Sequence, residues 1–221
     1  MSLGWLHGVP GGTGRRPGGL GRVVGLSSFD QATPVKIDGI PRPVSAPAAD
    51  PATFRRVKIA HGKRGTDETL NAMAELAIEA SQDPYFVEFA RSIVRDCPSR
   101  DEECVLTTVL EWAAEHIKYN FDPMFMEWVQ SPGWLAFVSG EGDCDDLSCF
   151  IVAVLLALGR SAGFKAVAVE RGKPDEYSHV FAWGVVNGRK VALDAVMRPP
   201  RLGQEPPASA YVMEPNLLAV A

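Results

Sequence analysis

Gly142-Asp143-Cys144-Asp145-Asp146-Leu147-Ser148-Cys149-Phe150-Ile151-Val152-Ala153-Val154-Leu155-Leu156-Ala157-Leu158-Gly159 decides the reading of this chain. From Leu147 to Leu158 nearly every side chain is apolar, which predicts a helix buried on most faces, and Gly159 supplies its stop. The apolar run is too short to span a bilayer. Cys144 falls where loop becomes helix. Its sulfur there lies near unpaired backbone N–H groups and the positive end of the helix dipole, and both favour thiolate. Asp143, Asp145 and Asp146 work against this, since nearby negative charge raises a thiol's pKa. Acids in a first helical turn also stabilise the helix, so a capping role is expected for some of them. Cys149, inside the apolar run, reads as a buried structural thiol.

Downstream, Lys165 to Glu170 alternates as a strand, and His179 to Val186 and Lys190 to Ala195 read as two more. Asn187-Gly188 between the latter pair is a strong two-residue hairpin signal. Counting back through that turn brings Asp194 beside residue 181, on the face that bears His179. A thiol at a helix start, a histidine on a strand and a carboxylate on its hairpin partner are the parts of a nucleophilic triad. The thiolate attacks, the imidazole moves protons and the acid fixes its tautomer. With the thiol hindered by three carboxylates, its activation is expected to depend on a close His179 imidazolium.

Upstream, Thr66 reads as an N-cap for a helix over 69–81, with Leu70, Met73, Leu76, Ala77 and Ala80 forming a buried stripe. Further helices are expected over 85–95 and 102–117, and a short strand over 53–60. His116, on the third helix, reads as a packed or surface residue. Residues 119–138 read as a long aromatic loop that roofs the core or lines a pocket. Residues 1–52 are rich in Gly and Pro and form an extended arm. It is either a disordered tail or a clasp that orders on a partner, the latter favoured by Trp5, Leu6, Val23, Val24, Leu26 and Phe29. Residues 53–200 form the folded domain and 201–221 an extended tail.

The net charge of −5 gives no reason to expect nucleic-acid binding. The four cysteines do not fall into CxxC pairs, which leaves zinc or iron–sulfur ligation little footing, while their even number keeps disulfides open. The three acids around Cys144 are adjacent rather than spaced as in a calcium loop, so no metal and no cofactor are expected. No cationic start precedes an apolar stretch at the N-terminus. The chain is therefore expected as a cytoplasmic product with reduced thiols and no membrane insertion.

Residues 112–196 resemble the transglutaminase-like branch of the papain-like superfamily. The resemblance is carried by Ile117-Lys118-Tyr119, Gly142-Asp143-Cys144-Asp145-Asp146-Leu147-Ser148, Leu155-Leu156-Ala157-Leu158-Gly159, Ser178-His179-Val180-Phe181 and Leu193-Asp194. It implies an α+β core, with N-terminal helices and a central cysteine-bearing helix packed on a small antiparallel sheet. It implies Cys144 as nucleophile, His179 as general base and acid, and Asp194 as orienting carboxylate. The Cys144 N–H is then one oxyanion donor, and Trp134 or Asn120 the candidate second. The implied activity is cysteine-dependent hydrolysis or transfer at amide bonds of protein or peptidoglycan peptide. From His61-Gly62-Lys63-Arg64-Gly65-Thr66 to Gln130-Ser131-Pro132 the chain is similar to a variant encoded by tailed bacteriophages among virion and tail genes. That similarity implies phage tail or baseplate partners for the arm, and as the alternative function an inactive structural scaffold.

Overall fold

The computed structural model describes residues 54–57, 63–122, 127–170, 172–173, 176–207, 210–212 and 216–217. The arm expected over 1–52 lies outside them.

Strand β1 (Phe54–Val57) is followed by three helices: α1 (Lys63–Gln82), α2 (Pro84–Ile93) and α3 (Glu102–His116). Helix α1 begins six residues before the expected 69, so Thr66 lies inside it rather than capping it. Nothing in Lys63 to Gly65 breaks a helix as proline would, and Arg64 pairs with Glu68 one turn on (3.0 Å). The expected stripe holds, with Leu70, Met73, Leu76 and Ala77 buried. The next two helices are started by side chains. Asp83 accepts from the Tyr85 N–H (2.8 Å) ahead of Pro84, and Asp101 accepts from the Cys104 N–H (2.9 Å).

The segment expected as one aromatic loop is largely regular. It holds β2 (Lys118–Tyr119), β3 (Glu127–Gln130), a helical turn α4 (Pro132–Trp134) and a π-helical turn over Leu135–Ser139. Gly140, at φ 66°, ends the π turn where a side chain would be strained. Strand β3 pairs antiparallel with β1, and β2 pairs parallel with β4 (Glu141–Gly142). The roofing role is real: Phe137 stands edge-on to Phe89 (4.9 Å) in an aromatic cluster with Phe86. Single-sequence periodicity misses strands of two to four residues because they hold too few alternations to register.

Helix α5 (Cys144–Ala157) is the centre of the molecule, and every residue from Asp145 to Leu155 is buried. Helices α1, α2 and α3 pack against it, as does strand β6. Asp143 caps its start, and Gly159 at φ 70° ends it. Three strands follow: β5 (Ala162–Ala168), β6 (His179–Val186) and β7 (Arg189–Leu193). The Asn187-Gly188 turn has both residues at positive φ, as the tight hairpin requires. Its register runs from Val186 opposite Arg189 to Ala182 opposite Leu193, which sets Asp194 in line with Phe181. Gly184 sits where the sheet meets the helices. A Cβ there would lie 2.8 Å from Leu106 and 3.2 Å from Leu155.

The C-terminal segment expected as an extended tail contributes two strands, β8 (Ala210–Val212) and β9 (Asn216–Leu217). Both pair antiparallel with β5, giving a five-stranded sheet ordered β7-β6-β5-β8 with β9 also on β5. The fold is α+β. Cys97 and Cys104 are disulfide-bonded across the α2–α3 connection, which corrects the expectation of reduced thiols for this pair. Cys144 and Cys149 are not disulfide-bonded. Among the described residues no helix is long and apolar enough to cross a membrane.

Candidate functional site

His179 opens β6 and Asp194 follows β7, so the hairpin register alone brings them near each other. The His179 Nε2 lies 2.8 Å from Asp194 Oδ2. Asp194 is buried, and its second oxygen accepts from the Val196 N–H (3.0 Å). Both carboxylate oxygens thus have partners, which a buried charge needs. The Nε2–H donating to Asp194 leaves the lone pair on Nδ1.

Cys144 is the first residue of α5 and half-buried. Ser148, one turn on, ties this helix start to the histidine strand. Its Oγ lies 2.6 Å from the Cys144 carbonyl oxygen and 3.2 Å from that of Val180, the residue after His179. Cys149 is fully buried against the Met73 carbonyl (3.4 Å), and burial pushes its thiol well up. His116 is exposed at the end of α3, where it stacks on Trp112.

The acids differ in role. Asp143 is the N-cap, accepting from the Asp145 N–H (3.3 Å). Asp145 is 2% exposed, and burial first, then Asp143 and Asp146, hold it well above the usual carboxylate range. Burial also pushes Asp146 up to about 8, against two hydrogen bonds from Gln130 that pull it down. Oxygens of these three acids lie within 4.8 Å of one another, which makes them the described residues that could hold a cation.

Of the two candidate oxyanion residues, Asn120 donates its main-chain N–H to the Gly142 carbonyl (2.9 Å), beside the cysteine loop, with its side chain exposed. Trp134 ends α4, where its N–H is 3.3 Å from Ser131 Oγ, and α4 packs against α5. Tyr119 was not among the candidates, yet it pairs with Gly142 across β2 and β4. Burial raises its phenol, and charges on Cys144, Asp143, Asp145 and Asp194 raise it further. Its hydroxyl therefore stays protonated within electrostatic reach of both the thiol and the acid. Its position directly after Ile117-Lys118, in the resemblance, was the available signal. A cavity of about 510 Å³ lined by Pro98, Asp101, Glu102 and Asn187 lies at the hairpin turn, the opposite end of β6 from His179.

No family model matches the chain, and no curated protein matches it either. Among solved structures it is similar to a candidate protease from Parabacteroides distasonis, at 16% identity and TM-score 0.42, over 57% of this chain and 26% of that one. It is similar to a candidate cysteine protease from Cytophaga hutchinsonii at 11% identity and TM-score 0.40, over 68% of this chain and 53% of that one. It is also similar to a TGase at 14% identity and TM-score 0.35, over 58% and 32%. The chain thus spans between about a quarter and a half of the length of these structures. None of the three descriptions names a phage or virion component.

Proposed function

We propose that the chain is a transglutaminase-like cysteine hydrolase or acyltransferase that acts on amide bonds through Cys144, His179 and Asp194. The observation that carries this reading is the part-buried His179–Asp194 hydrogen bond at 2.8 Å, anchored through Ser148 to the helix start that bears Cys144. In this mechanism His179 Nδ1 takes the thiol proton and the thiolate attacks the amide carbonyl carbon. The resulting oxyanion is met by the Cys144 N–H, with Asn120 or Trp134 as the second donor. The imidazolium returns its proton to the leaving amine, which departs as the C–N bond breaks and a thioester remains. Water, or a second amine, deprotonated by His179, then attacks the thioester and frees Cys144. Asp194 holds the imidazole ring and stabilises its charged form.

The substrate in this proposal is a protein or a peptidoglycan peptide. A virion setting, with the arm on tail or baseplate partners, rests on the sequence similarity of residues 61–132 alone. Incubating the protein with casein, with purified peptidoglycan and with p-nitrophenyl acetate, and measuring new amine ends or nitrophenolate, tests the reading. Turnover that disappears in Cys144→Ala is expected. Turnover equal in the two proteins overturns it, and turnover absent from both overturns it in favour of an inactive scaffold.

A further inference from the structure

Asp146 is 1% exposed and follows the nucleophile position by two residues, and it meets a separate strand rather than solvent. Its Oδ1 accepts from the Gln130 main-chain N–H (2.7 Å) and its Oδ2 from the Gln130 side-chain Nε2 (2.6 Å). The same Nε2 reaches the Glu141 carbonyl oxygen (3.0 Å). One glutamine on β3 therefore spans from the carboxylate on α5 to the main chain of β4. The carboxylate also fills the space in front of Gly142: a Cβ there would stand 2.4 Å from Asp146 Oδ2 and 2.7 Å from Asp146 Cβ. No side chain fits, so the main chain approaches the carboxylate directly. On its other edge the same segment is held by β2, with the Lys118 N–H on the Gly140 carbonyl and the Asn120 N–H on the Gly142 carbonyl, both at 2.9 Å.

Residues 140–142 are thus gripped from two sides just ahead of Cys144. We infer that Asp146 and Gln130 are positioning residues for the proposed reaction, a clamp that sets where the Cys144 main-chain N–H points. This inference rests on the proposed reading of Cys144. A hydrogen-bonded pair is suited to the task because the donors and acceptors match in only one arrangement. Replacing Asp146 by Asn sets an amide N–H against the Gln130 Nε2 donor. Turning Gln130 over to relieve that clash sets its carbonyl against the Glu141 carbonyl. An apolar contact would tolerate sliding; this one does not.

Turnover and thiol reactivity separate the clamp from general damage to the fold. Attack of the Cys144 thiolate on iodoacetamide needs no oxyanion donor, whereas acyl transfer to and from Cys144 does. Above pH 8, where Asp146 is ionised, kcat for p-nitrophenyl acetate is expected to fall about 10- to 10²-fold in Asp146→Asn. KM and the Cys144 alkylation rate should each stay within about twofold, as expected when only transition-state contacts are lost. Gln130→Met keeps the main-chain bond and removes the side-chain one, so a smaller fall in kcat with the same pattern is expected. If Asp146→Asn lacks a cooperative melting transition, Gln130→Met decides. Cys144-dependent turnover that is unchanged in the folded variants overturns the clamp alone. Turnover that survives Cys144→Ala overturns the underlying reading and the clamp with it.

Discussion

His179 and Asp194 meet at 2.8 Å because a two-residue turn, Asn187-Gly188, fixes the register of the two strands that bear them. His179 is held on its other side by β5, where it stands opposite Val167. Asp194 is held by the hairpin and by the Val196 N–H on its second oxygen. Asp194→Asn keeps the shape and loses the charge, and an amide N–H in place of Oδ2 would favour the wrong imidazole tautomer. Turnover is expected to fall roughly 10²- to 10⁴-fold, the range of a general base's contribution. Circular dichroism should stay unchanged. A variant within threefold of the parent contradicts an orienting role.

Stability should decline as the solution becomes more alkaline through the neutral range. Asp146 is raised to about 8 and Asp122 to about 6, in each case first by burial, and Asp145 is held well above its ordinary value. For an acid raised on folding, the folded state retains the proton that the unfolded state gives up. The stabilisation is complete below the unfolded value near 4, and for Asp146 it is lost progressively up to about pH 8. Asp146→Asn removes one such proton, so the slope of unfolding free energy against pH should flatten by up to about 1.4 kcal/mol per pH unit between those limits. Urea titrations at a series of pH values measure it. A stability that rises across the window contradicts the assignment.

The Cys97–Cys104 bond closes a short loop between α2 and α3. Constraining a loop of this length in the unfolded chain is worth roughly 2 kcal/mol. A Cys97→Ser, Cys104→Ser double variant should lose about that much stability. Reductant should lower the parent to the same level and leave the variant unmoved. A parent insensitive to reductant would contradict the pairing.

Periodicity and turn chemistry made the central architecture legible before any coordinates. The apolar run from Leu147 to Leu158 predicts a buried helix, and Asn187-Gly188 is a strong signal for a tight turn. Together these placed Cys144 at a helix start and Asp194 beside residue 181. The start of α1 was misplaced because Thr66 has the chemistry of a cap but no neighbour that stops the helix. Strands β2, β3 and β4 were invisible because each is too short to alternate, and they form only against distant partners. The Gln130–Asp146 pairing spans 16 residues and is a tertiary contact that no local pattern encodes. Tyr119 escaped for a related reason: its pairing with Gly142 exists only once β2 and β4 are aligned. The Cys97–Cys104 pairing was left open because an even number of cysteines does not specify partners.

The account turns on whether Cys144 depends on His179 for its reactivity, since Asp143, Asp145 and Asp146 crowd the thiol and each of them opposes the thiolate once it is ionised. The most direct test is the rate of Cys144 alkylation by iodoacetamide as a function of pH, in the parent and in His179→Ala. Cys149 is fully buried and Cys97 and Cys104 are bonded, so Cys144 is the thiol that reports. The parent is predicted to alkylate from mildly acidic pH upward, and His179→Ala only at alkaline pH. Superimposable profiles would contradict a Cys144–His179 pair.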